Sequence, residues 1–374
     1  MSFLKLGLTA FGGPAMIAYI KEMSVSHHGW LDEKEFHDGV TLCQSIPGAS
    51  AMQTAAYVGL KARGVAGALV SFVGFGLPAF LFMLVLSWLY ASYNEVPRLV
   101  SLFNGLHVVV VAIVAHATYS FGKSTFKNYE ESLLSLPAAV FLWVGVSPFI
   151  VILGAALIGI VLLRGNGIVV ASTAEKGRGK HSVRHFSALL MILLFGLLVV
   201  YVLDKELLNL AILMMKIDLF AFGGGFASIP LMLQEIVNVR GWMDSKTLMD
   251  GIALGQVTPG PIVITSTFVG YMLYGLPGAI IATIAIFTPS FLMVIAVTPV
   301  FDRLKASTYF TGATKGILAS FVGLLFFVTV KFSLAVPWDL VRMVLVCTAF
   351  GALLRKVDIL YVVLIIAVIS VFVF

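Results

Sequence analysis

The tetrapeptide Phe11-Gly12-Gly13-Pro14 returns in altered form as Phe222-Gly223-Gly224-Gly225, and its surroundings return with it. Lys5 aligns with Lys216, and Gly29-Trp30-Leu31-Asp32 with Gly241-Trp242-Met243-Asp244. Asp38-Gly39 aligns with Asp250-Gly251, and Gln44-Ser45-Ile46-Pro47-Gly48 with Gln256-Val257-Thr258-Pro259-Gly260. Val58-Gly59, Gly64, Gly67 and Pro78 find mates in Val269-Gly270, Gly275, Gly278 and Pro289. The offset stays at 211 or 212, so the chain is an internal duplication. Each half carries two strong helix breakers at matching places, which limits the chain to two related bundles with interrupted helices.

Composition supplies the solvent. Hydrophobic residues make up 60% of the chain and charged residues 11%, with mean hydropathy +1.04. Soluble domains carry about 25% charged residues, so this surface faces mostly lipid. The expected fold class is an all-α polytopic membrane protein. The net charge of +6 is carried by short loops and sets orientation rather than marking a nucleic-acid site. Cys43 and Cys347 lie in apolar segments and read as buried thiols rather than a disulfide. No cleavable signal pattern precedes the first repeat.

The expected domains are a first repeat over 1–163, a basic linker plus one extra span over 164–205, and a second repeat over 206–374. Asp32 with Glu35 predicts an N-cap and a helix starting near Glu33, broken at Pro47-Gly48, with a basic turn over 61–64. Two topologies follow. If each Pro-Gly segment crosses once, each half has six spans, the total is about 13, and the halves are an inverted repeat. Inner loops then hold 15 Lys and Arg against 5 outside, which places the N-terminus in the cytoplasm. If each Pro-Gly segment is a re-entrant hairpin, 11 spans remain and the halves run parallel. Inversion is preferred, because inverted repeats with broken helices recur in transporters.

Unwound backbone is tolerated at membrane depth only inside protein or beside a water-filled cavity. Half-helix starts expose N–H groups and a positive dipole end, which favour an anion. The expected substrate site therefore comprises Phe11, Gly12, Gly13, Pro14, Pro47, Gly48, Phe222, Gly223, Gly224, Gly225, Thr258, Pro259 and Gly260. Lys5 and Lys216 join it as intramembrane cations, although Lys5 can snorkel and Lys216 can pair with Asp218. Gln44 and Gln256, three residues before each Pro-Gly, add uncharged amide donors. Lys315 has no symmetric mate and ranks lower. His107 and His116 on one span offer a proton relay or plain packing. His27, His28 and His37 form no metal pattern, and no nucleotide, haem, zinc-protease or hydrolase motif is present. Enzyme activity, a cofactor and a metal are not expected.

These motifs together resemble the chromate ion transporter family. The resemblance lies in Phe3-Leu4-Lys5-Leu6-Gly7 leading into Phe11-Gly12-Gly13-Pro14, in Trp30-Leu31-Asp32-Glu33, in both Gln-x-x-Pro-Gly segments, and in Gly74-Phe75-Gly76-Leu77-Pro78. It covers both halves and implies the long, two-domain form. It further implies an inner-membrane exporter of chromate, with antiparallel halves. Two departures, Ala15-Met16-Ile17 after the first break and Ala49 after the first Pro-Gly, fall beside the expected site. Sulfate has nearly the shape and charge of chromate, and an anion channel of the same architecture is the other alternative. The expected partners are the oxyanion, the bilayer, a coupling ion such as the proton, and a second copy of the chain.

Overall fold

The computed structural model describes residues 1–11, 13–93, 96–126, 129–163 and 179–374. Gly12 and the basic linker stretch 164–178 lie outside the described residues. Every described element is helical or a short connection. The first half runs α1 (Ser2–Thr9), α2 (Gly13–Lys21), α3 (Glu33–Ser45), α4 (Ser50–Tyr93), α5 (Pro97–Thr125), α6 (Tyr129–Trp143) and α7 (Pro148–Leu162). After α8 (Gly179–Leu203), the second half runs α9 (Lys205–Phe220), α10 (Ser228–Met232), α11 (Ser245–Val257), α12 (Thr265–Val297), α13 (Phe301–Lys305), α14 (Thr308–Ala335), α15 (Leu340–Leu354) and α16 (Ile359–Val373). The offset seen in the sequence governs the elements too: α6 and α7 return as α15 and α16, each displaced by 211 residues.

Five described segments are long and apolar enough to cross a membrane by length and composition: Ser50–Tyr93, Pro97–Thr125, Phe186–Leu203, Ile262–Lys305 and Thr308–Ala335. Two of these are bent. α4 turns at Arg63-Gly64 (Gly64 φ +67°) and α12 at Tyr274-Gly275 (Gly275 φ +61°), at matching positions. Beyond each turn the helix doubles back, and the backbones touch at Gly59 against Gly67 and Gly270 against Gly278, where a Cβ would overlap a carbonyl. The basic turn expected over 61–64 is therefore a reversal of direction. Asp32 caps α3 as expected, accepting from the Glu35 N–H at 2.7 Å, and Asp244 caps α11 through the Thr247 N–H at 2.7 Å.

The Pro-Gly segments do not run straight on, as the six-span reading required. α3 and the first part of α4 lie side by side, antiparallel. Lys61 reaches Glu35 at 4.0 Å, and Gly39 leaves room for the Tyr57 ring. The second half repeats this with Gly251 under Phe268 and Gly255 beside Thr265. The chain between Phe3 and Trp30 also folds back, since Phe3 stacks on Trp30 (5.9 Å between centroids) and Ser2 Oγ lies 3.2 Å from His28 Nε2. A proline removes a donor and a glycine pair removes steric limits, so both breaks become hairpin tips.

The tips bond crosswise between halves. Gly48 N–H donates to the Ala221 carbonyl at 2.9 Å, and Gly260 N–H donates to the Ala10 carbonyl at 3.2 Å. Ala221 and Ala10 precede the two Phe-Gly-Gly breaks, so each half's second tip closes on the other half's first. Both donors are glycines with positive φ (+114° and +109°). The halves also meet along α5 and α14. Thr118 and its repeat mate Thr329 touch through their hydroxyls at 3.2 Å, while Gly122, after Thr118, faces Val322, before Thr329. That order is antiparallel packing.

Candidate functional site

A cavity of about 720 Å³ lies where the tips converge, within the usual ligand-pocket range of roughly 300–1,000 Å³. Three tips line it directly: Ala49 and Ser50 from the first Pro-Gly segment, Gly223–Gly225 from the second Phe-Gly-Gly, and Thr258, Gly260 and Pro261 from the second Pro-Gly. The remaining break contributes Met16 and Ile17, one turn into α2. α5 supplies His116, Ser120, Phe121 and Ser124, and α14 supplies Lys315 and Leu318.

The lining chemistry is one-sided. It contains the amides of Gln44 and Gln256, the hydroxyls of Ser50, Ser120, Ser124, Thr125 and Thr258, and the Lys315 ammonium, with no acidic side chain among the described residues. Ser50 and Ala51, directly after Ala49, open α4, where N–H groups lack intrahelical acceptors and the dipole end is positive. Lys315 has no ion-pair partner among the described residues. Gln256 Nε2 is buried and makes no hydrogen bond. An unpaired buried donor costs about 1–3 kcal/mol, and here it lies beside a space that can hold an acceptor. The Thr258 hydroxyl is spent in part on the Gly255 carbonyl at 3.1 Å.

The other expected site residues fall elsewhere. Pro47 and Gly48 are buried behind the lining, as is Pro259. Phe11 and Phe222 are half-buried and do not line the cavity. Gly13 and Pro14 open α2. Lys5 is exposed. Lys216 lies outside the lining: its ammonium sits 3.3 Å from Glu235 and 3.6 Å from the centre of the Phe149 ring. Its near neighbour Asp218 instead accepts from the Ser290 N–H and hydroxyl, at 2.7 Å and 2.7–2.8 Å. Positions i and i+2 point apart on a helix, which is why Lys216 and Asp218 do not meet. Glu235 was a reachable signal, since a lone acid in an apolar stretch needs a cation, and it holds both Lys216 and Arg240.

His107 and His116 share α5 but not an environment. His116 lines the cavity, 3.4 Å from Ser120 Oγ. His107 is buried against Asp250 of the second half at 2.7 Å. Spacing along one helix could not reveal that pairing across 143 residues.

Comparison with known proteins gives the family. The chromate transporter family model matches residues 1–160 and again 208–371. An uncharacterised transporter of Methanocaldococcus jannaschii is 46% identical over 366 residues, covering 97% of this chain and 91% of that protein. A probable chromate transport protein of Synechococcus elongatus is 32% identical, covering 86% of this chain and 81% of its own. A chromate transport protein of Cupriavidus metallidurans is 30% identical, with coverage of 86% and 79%. No solved structure matches the chain. With both halves matched and relatives aligned across most of their length, the chain belongs to the chromate transporter family.

Proposed function

We propose that the chain is a secondary transporter that exports chromate across the cytoplasmic membrane by alternating access, holding the oxyanion in the cavity between the hairpin tips. The observation that carries this reading is the lining itself: a free ammonium, two amides, hydroxyls and a helix start converge with no carboxylate among them. A tetrahedral dianion needs donors on several sides and gains from each charge-assisted bond. The relatives named for chromate support the substrate.

The topology we infer is an inverted repeat with cytoplasmic N-terminus. Each hairpin returns to the side it entered, so α4, α5, α6 and α7 bring the first half back to its starting side. α8 then crosses once, and the second half starts from the other side. This differs from both sequence-based topologies: the fold-back of residues 3–30 and the Pro-Gly hairpin remove two crossings per half from the six-span reading, and the fold-back removes one per half from the re-entrant reading. Among the described residues the N-terminal side then holds 11 basic residues: Lys21, Lys34, Lys61, Arg63, Lys123, Lys180, Arg184, Arg303, Lys305, Arg355 and Lys356. The opposite side holds 6: Arg98, Lys205, Arg240, Lys246, Lys331 and Arg342. That asymmetry supports a cytoplasmic N-terminus. The cavity is lined by the last turns of α5 and the first residue of α16, ends that lie on the cytoplasmic side in this topology, as an exporter awaiting substrate requires.

Radiolabelled chromate uptake into inverted membrane vesicles tests the reading. Saturable uptake, competed by sulfate or molybdate according to their affinity and altered by a pH gradient, is the expected result. Flux that rises without saturation points to a channel. Absence of uptake alongside saturable sulfate uptake reassigns the substrate.

A further inference from the structure

The side of the molecule opposite the cavity mouth is sealed, and the seal contains one polar cluster. Residues Gly105–Val114 of α5 are all buried. Within that stretch His107 Nε2 lies 2.7 Å from Asp250 Oδ1, and the Tyr90 hydroxyl donates to Asp250 Oδ2 at 2.8 Å. The His107 and Asp250 side chains are each 8% exposed. Tyr90 is held edge-on by Phe103 and Phe268, at 5.0 and 5.1 Å. The cluster thus ties α4 and α5 of the first half to α11 of the second.

The repeat supplies an internal comparison. The mates of His107, Tyr90 and Asp250 are Leu318, Phe301 and Asp38. Leu318 lines the open cavity, and neither leucine nor phenylalanine can bond a carboxylate. The same three positions are therefore bonded on the sealed side and unbonded on the open side.

We propose that His107, Asp250 and Tyr90 form the outer gate of the transport path. This rests on the alternating-access reading above. An outward-open form requires α5 and α11 to part at these residues, exposing the second-half mates of the present cavity lining. Phe332 is the mate of Phe121, which lines the cavity now, and Phe332 is fully buried here. Separating a buried, hydrogen-bonded histidine–carboxylate pair is costly, because each polar group is left unpaired in an apolar setting, so the cluster holds the outer side shut until the tips rearrange.

The test uses the full chain in membranes, with Cys43 and Cys347 replaced by serine and Phe332→Cys as reporter. A membrane-impermeant methanethiosulfonate reagent is added from outside. Asp250→Asn and His107→Gln should each raise the labelling rate of the reporter about tenfold or more, which corresponds to about 1.4 kcal/mol of population shift. Tyr90→Phe, the mildest change, should raise it less. The exchanged pair His107→Asp with Asp250→His should return it toward the parent rate. Unchanged labelling in both Asp250→Asn and Tyr90→Phe overturns the gate, as does increased labelling that the exchange fails to reverse. Labelling reads accessibility whatever anion is carried. A gate response without chromate flux therefore refutes the substrate, while chromate flux with no labelling response refutes the gate.

Discussion

Gly48→Ala is the sharpest probe of the crossed tips. Gly48 sits at φ +114°, where a side chain costs about 1–3 kcal/mol. Its new Cβ would overlap the Ser290 hydroxyl and come within 2.9 Å of Gln53 Nε2. Ser290 cannot retreat freely, because its N–H and hydroxyl are both bonded to Asp218. Overpacking of this kind costs about 1–3 kcal/mol, and losing the Gly48–Ala221 bond adds about 1 kcal/mol. The sum is about 3–7 kcal/mol, a large part of a typical stability margin. Gly29→Ala is the matched control: φ is +58°, but nothing lies within 4 Å of its Cβ position, so its cost is about 1–2 kcal/mol. Thermal unfolding of purified protein in detergent, followed with chromate flux, reads both variants. Gly48→Ala should unfold a few degrees, about 4 °C, below Gly29→Ala and lose flux. Equal melting with retained flux would refute the reasoning that the tips depend on this contact.

Lys315→Gln should raise the chromate concentration for half-maximal uptake about 30-fold, since removing a charged partner of a bound anion costs about 2 kcal/mol or more. Lys216→Met, outside the lining, should do less, and the reverse ranking would return the site to Lys216. Gln256→Leu removes the unpartnered amide and should weaken uptake without lowering the melting temperature; a lowered melting temperature would assign that amide a structural role. Glu235→Gln should destabilise by about 1–2 kcal/mol, because it leaves Lys216 and Arg240 facing each other without their shared acid, though both are partly exposed and can turn away. Parent-like unfolding of this variant would show that the trio contributes little.

The duplication made the breaks, the turn at Gly64 and the Asp32 cap readable from residues alone, because each rests on local chemistry. A glycine with positive φ and a side chain bonding an N–H three residues on are both written within a few positions. The angle at a break is not. Pro47-Gly48 permits a straight-through kink or a full return, and the choice depends on packing such as Gly39 against Tyr57. Long-range partners were equally hidden. Lys216 and Glu235 lie 19 residues apart across a break, and His107 and Asp250 lie in different halves. Lys315 was ranked below the symmetric lysines because it breaks the repeat, yet it is the lysine that lines the cavity. Binding one small anion off the symmetry axis needs no matching residue in the other half.

The crossed hydrogen bonds also bear on how the chain is made. When the first half has been synthesised and inserted, the Gly48 N–H and the Ala10 carbonyl have no partner, because Ala221 and Gly260 are still to come. Lipid offers these groups nothing, so the early chain must keep its two tips hydrated or shielded by the insertion machinery. Each half is thus an incomplete template that the other finishes. Two separately expressed halves, with α8 kept on the second, would be expected to be degraded alone and to rescue each other when produced together.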